Sequence, residues 1–106
     1  MVRAILTDAG FIEGKTFKET RFLKPPDVTY AIYLDSFESS GADDKNLIKK
    51  HSCSIEVYSK TPDRIAETKI EKSFDVRGIE YAKDDRLWLQ DENLYMVVYR
   101  FDFMEK

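Results

Sequence analysis

One cysteine, Cys53, and one histidine, His51, are all the chain has of either residue. A single cysteine excludes an intrachain disulfide, and with one histidine beside it no Cys/His metal cluster can form. Asp43-Asp44 and Asp84-Asp85 match no EF-hand or other metal spacing. A glycine-rich phosphate loop, a G-x-S-x-G elbow and an H-E-x-x-H helix are all lacking. The chain is therefore not expected to be an enzyme, and no metal or cofactor is implied. Apolar runs fall short of the ~18 residues that suggest a membrane span. The first residues lack the apolar segment of a signal peptide, so synthesis in the cytoplasm and no membrane role are expected. An excess of basic residues is also missing: 17 Lys and Arg stand against 20 Asp and Glu, a formal net charge of -3. That balance argues against a surface built to neutralise phosphates, and no specific nucleic-acid binding is expected.

What the chain does have is aromatic rings, seven Phe and six Tyr among 106 residues. Rings bury large areas in cores and in the centres of protein interfaces. They concentrate in Leu94–Phe103, which reads as a strand. Tyr95, Val97, Tyr99, Phe101 and Phe103 share one face; Leu94, Met96 and Val98 share the other, followed by Arg100 and Asp102. A strand with one wet face alternates apolar with polar residues, whereas the first half of this one is apolar on both sides. It is read as a central strand covered twice.

At this length the chain is one domain, residues 1-106, with a single core. Met1–Ala9 has Val2, Ile5, Leu6 and Ala9 at the spacing of one helical face, and Gly10 is placed to end that helix in a left-handed turn. Residues 10-27 read as a packed arm, punctuated by Phe11, Phe17, Phe22 and Leu23 and stiffened by Pro25-Pro26; part of it has the pattern of an edge strand. From residue 28 to the end the order is β-β-α-β-β. Val28–Phe37 and His51–Tyr58 form a hairpin with a charged tip that includes Asp43, Asp44 and Lys45. In the second of these strands Cys53, Ile55 and Val57 point inward. A helix starts at Thr61-Pro62-Asp63, with Thr61 as cap, and ends at Gly78; its apolar stripe is Ile65, Ala66, Ile70 and Phe74. Ile79–Leu89, interrupted by Lys83-Asp84-Asp85-Arg86, turns into Leu94–Phe103. The expected fold is α+β: a four-stranded, mostly antiparallel sheet with two helices on one face.

Two helices can shelter only one face of such a sheet. Each large ring left wet on the other forfeits roughly 1.5–3 kcal/mol of burial. A homo-oligomer is therefore expected, with Phe11, Phe17 and Phe22 of the arm, the Asp43-Asp44-Lys45 tip and Trp88 as candidate contact residues. Two other classes of function compete with this one. The rings of Tyr95, Tyr99, Phe101 and Phe103 could stack nucleic-acid bases, but the charge balance and the missing RNP1 pattern oppose it. A small ligand-binding or enzymatic domain would need a pocket with converging polar groups. His51 reads as a structural strand residue and Cys53 as a small apolar one.

Across its whole length the succession of elements resembles the small tail-terminator and tail-completion proteins of long-tailed bacteriophages and prophages of Gram-positive bacteria. The residues that carry the resemblance are Val2–Gly10, Arg21-Phe22-Leu23-Lys24-Pro25-Pro26, Thr29-Tyr30-Ala31, Gly41-Ala42-Asp43, Ser54-Ile55-Glu56-Val57-Tyr58 before Pro62, and Tyr99-Arg100-Phe101. The resemblance implies a ring, commonly of six subunits, that caps the tail tube and joins it to the head connector. The tail tube protein and the connector protein would be the partners, the virion tail the location, and DNA would pass through the ring. The first helix is shorter than in larger relatives of this kind.

Overall fold

The computed structural model describes residues 1–40 and 48–105, and from it the chain is an α+β fold of two helices and a six-stranded mixed sheet. The first helix, α1 (Val2–Asp8), buries Val2, Ile5 and Leu6, the stripe its spacing predicts. It stops where Gly10 adopts φ +96°, a conformation open to glycine at little cost. The Phe11 N–H then donates to the Leu6 carbonyl at 3.0 Å, which turns the Phe11 ring back into the core.

The arm contains a short strand, β1 (Phe17–Glu19), that lies parallel to β2 (Tyr30–Ser40). β2 pairs antiparallel with β3 (Ile48–Ser59), and β3 with the last strand, β6 (Leu94–Glu105). The single strand expected over Ile79–Leu89 is instead two fragments, β4 (Ala82–Lys83) and β5 (Leu87–Leu89), each paired with β6. The sheet therefore has six strands, not four, and β1 makes it mixed. Its order is β1-β2-β3-β6-β4, with β5 also on β6. The strand breaks between Lys83 and Leu87, where Lys83 and Arg86 turn toward Glu67 and Glu71 of the second helix while Asp84 pairs with Arg100 of β6.

That helix, α2, spans Arg64–Val76. Its cap is Asp63 and not Thr61: the Ala66 N–H donates to Asp63 Oδ1 at 3.0 Å. The start is thus two residues later than expected, and of the expected stripe Ala66, Ile70 and Phe74 pack on the core. Glu67, Ile70, Ser73 and Phe74 face inward, while Ile65 is 72% exposed. Gly78, at φ +66°, ends the helix as predicted. The Ser73 hydroxyl donates to the Ile5 carbonyl at 3.1 Å, and Arg77 pairs with Asp8, so the two helices are tied to each other.

Both helices pack on the sheet face made by odd-numbered residues. Phe17, Ala31, Tyr33, Cys53, Ile55, Val57, Val97, Tyr99 and Phe101 form one core with Ile5, Leu6, Ile70 and Phe74. Phe74 sits at its centre, 4.6 Å from the Tyr81 ring and 4.9 Å from that of Phe101. Beyond Cys53 the helices no longer reach, and β2, β3 and β6 run on as a three-stranded extension of a body 49 Å long.

Candidate interaction surface

The opposite face of the sheet carries no helix among the described residues. Register places Tyr30, Tyr58, Met96 and Leu87 in one row across four strands, with Ile32, Glu56 and Val98 in the next and Leu34, Ser54 and Arg100 beyond. The arm covers one corner: Phe22 crosses to this side and meets Tyr30 edge-on at 5.5 Å, and Tyr30 stacks on Tyr58 at 5.1 Å. The Tyr58 hydroxyl donates to Glu56 Oε1 at 2.7 Å. Burial, with that bond to a carboxylate, pushes the phenol well above its ordinary range. Ile32 and Val98 are buried, but Leu34 stays 43% and Leu87 52% exposed. An apolar strip therefore runs from β2 to β5, interrupted by the glutamate.

The open strand edges adjoin this face. β1 pairs only with Ala31–Tyr33, so β2 beyond Tyr33 has no neighbour on its outer side among the described residues. β4 reaches only Tyr99 and Arg100 of β6. Pro-free edges of this kind are able to accept a further strand.

On the helix side a cluster of charges fastens the β4–β5 segment to α2. Arg86 Nη2 approaches both carboxylate oxygens of Glu67, at 2.8 and 2.7 Å, and Lys83 Nζ lies 3.0 Å from Glu67 and 2.7 Å from Glu71. The Tyr99 hydroxyl donates to Glu71 Oε2 at 2.6 Å. Burial would push the Glu71 carboxyl up, but the bonds from Lys83 and Tyr99 outweigh it and hold the group below its ordinary value. The Tyr99 phenol is driven far up by burial and by Glu71. The sequence marks Lys83-Asp84-Asp85-Arg86 only as a charged interruption of a strand. A pairing with Glu67 across 19 residues leaves no local signal, although Glu67 at an inward helical position would have been one.

The expected contact residues fare differently. Phe11 and Phe17 are buried in the chain's own core, which corrects their assignment to a subunit contact: the arm is sealed onto the sheet by its own β pairing, and these rings have no surface to offer. Phe22 is half-buried on the open face, where it extends the apolar strip. Trp88 is exposed at the edge of β5, tilted against Tyr95 at 4.9 Å, with its indole N–H donated to Gln90. Asp43, Asp44 and Lys45 lie outside the described residues. The rings proposed for base stacking are on the helix-covered side, where Tyr99 and Phe101 are fully enclosed. Cys53 is buried with its thiol donating to Asp35 at 3.5 Å; burial first, then Asp35, pushes it up to about 12, so it stays a neutral thiol. No family model and no curated protein sequence matches the chain.

Proposed function

We propose that this protein is an assembly subunit that joins copies of itself into a ring, and that the ring is a tail terminator or tail-completion ring of a bacteriophage or prophage. The observation that carries the assembly reading is the exposure of Leu34 and Leu87 on the open sheet face, beside two strand edges that are unpaired among the described residues. Covering Leu34 and Leu87 alone would contribute about 1 kcal/mol each per subunit, since each is about half wet. A heterologous contact between such surfaces repeats until the rotation closes, which is how rings form. The specific role at the head-proximal end of a tail tube rests on the family resemblance in the order of elements.

In this reading the work is assembly without turnover. The open face and the edges of the extension meet the neighbouring subunit, Phe22 lies at the margin of that contact, Trp88 offers an exposed ring on the other face of β5, and the Asp43-Asp44-Lys45 tip reaches the tube or the connector. A lumen with acidic side chains lets DNA pass without adhering. The test is native mass measurement and negative-stain imaging of the protein alone and mixed with its tail tube protein. Closed rings that cap tube ends support the proposal. A monomer that leaves tube length and tube ends unchanged refutes it.

A further inference from the structure

His51 lies in the part of the sheet that no helix covers, and it is nevertheless buried. Its ring is stacked on Phe103, with centroids 4.3 Å apart and planes 7° from parallel, and on Phe37 at 5.3 Å from the other side. Nδ1 is 2.7 Å from Asp35 Oδ1 on β2, and Nε2 is 2.9 Å from Glu105 Oε2 on β6. One side chain on β3 thus bridges all three strands of the extension. An ionised carboxylate only accepts hydrogen bonds, and a neutral imidazole has one N–H and one lone pair. The imidazolium alone donates to both carboxylates. With a neutral ring, one nitrogen lone pair would face a carboxylate oxygen at hydrogen-bond distance.

We propose that protonation of His51 closes the distal end of the sheet, and that deprotonation releases Glu105 and the last residues of β6. Glu105 leaves first, because its side chain is 51% exposed whereas that of Asp35 is 25% exposed and also accepts the Cys53 thiol. The neutral ring then keeps its one N–H on Nδ1, directed at Asp35. The other charges around the site do not change this order. Lys49 on β3 sits over the Phe37 ring at 5.6 Å, and Lys50 approaches Asp102 of β6 at 4.0 Å. The closed form holds one more proton than the open form, so its population falls as pH rises through the His51 titration.

Because His51 is the only histidine, its ring resonances report its titration without assignment ambiguity. The Asp84 N–H donates to the Val98 carbonyl, so even residues of β6 point their backbone groups outward and odd ones toward β3. The amides of Phe103 and Glu105 are thus the ones that lose their partners on release. Their hydrogen-exchange protection, corrected for the intrinsic pH dependence of exchange, is expected to drop on the order of three- to tenfold as the His51 ring loses its proton. In Glu105→Gln the carboxamide N–H can donate to the neutral ring, so protection should stay flat over the same range. In His51→Phe the ring stack is kept without the bonds, and protection should be low at every pH. Protection in the wild type that does not follow the protonation of the His51 ring overturns the proposal, as does an equal drop in Glu105→Gln.

Discussion

Replacing Glu67 with Gln tests whether the buried carboxylate holds the β4–β5 segment on α2. The side chain of Glu67 is 5% exposed, and two cations converge on it. Removing one partner of a buried ion pair costs about 3–5 kcal/mol when the other charge is left dry. Here the stranded partners regain water in part, since Arg86 is 23% and Lys83 37% exposed, and Lys83 keeps Glu71. That discount brings the expected loss to roughly 2–3 kcal/mol. Urea unfolding followed by circular dichroism would measure it as a lower midpoint at an unchanged slope. The same reasoning makes a further demand: Glu67→Met combined with Arg86→Met should recover most of the loss, because apolar groups of similar volume need no desolvation of charge, and the Arg86 Nε, buried without a partner, disappears. A loss under about 0.5 kcal/mol for Glu67→Gln would refute the argument, since changes that small are ordinary for surface positions.

Phe74→Ala should be the most damaging single truncation, with a loss of about 3–5 kcal/mol in chemical denaturation, because the ring is fully enclosed among Tyr81, Tyr99 and Phe101. Leu34→Glu with Leu87→Glu should cost about 1 kcal/mol of stability each, the value of the half of each side chain that is already buried, and in the proposed assembly abolish ring formation as seen by native mass measurement. Changing Asp43 and Asp44 to Lys should leave the circular dichroism spectrum intact and disturb tail assembly; normal virions from that mutant would remove the tip from the contact. Stability should also decline on the alkaline side. The Cys53 thiol is raised from 9.0 to about 12 in the folded chain, so the unfolded chain gives up its proton first. The stabilisation is complete below about pH 9 and is lost as pH rises toward 12, and Cys53→Ala should flatten that part of a pH series of unfolding midpoints.

Several features of this molecule were written in short stretches of the chain. Val2, Ile5, Leu6 and Ala9 define the buried side of α1 by spacing alone, Gly10 and Gly78 mark helix ends at positive φ, and the alternation around Cys53, Ile55 and Val57 assigns their face. These follow from helix and strand periodicity and from the conformational freedom of glycine, which act over a few residues. The tertiary structure decided the rest. It chose Asp63 over Thr61 as the cap, turned Glu67 inward and Ile65 outward, laid β1 parallel on β2 so that Phe17 became core, and put both helices of the described residues on one face of the sheet. It also made His51, a plain strand residue by pattern, the bridge between Asp35 and Glu105. Most of those outcomes depend on a partner far along the chain: 19 residues separate Glu67 from Arg86, 54 separate His51 from Glu105, and 68 separate Ser73 from Ile5. Local periodicity states which residues share a side, but the side that gains a cover is settled only when distant segments compete for the same surface.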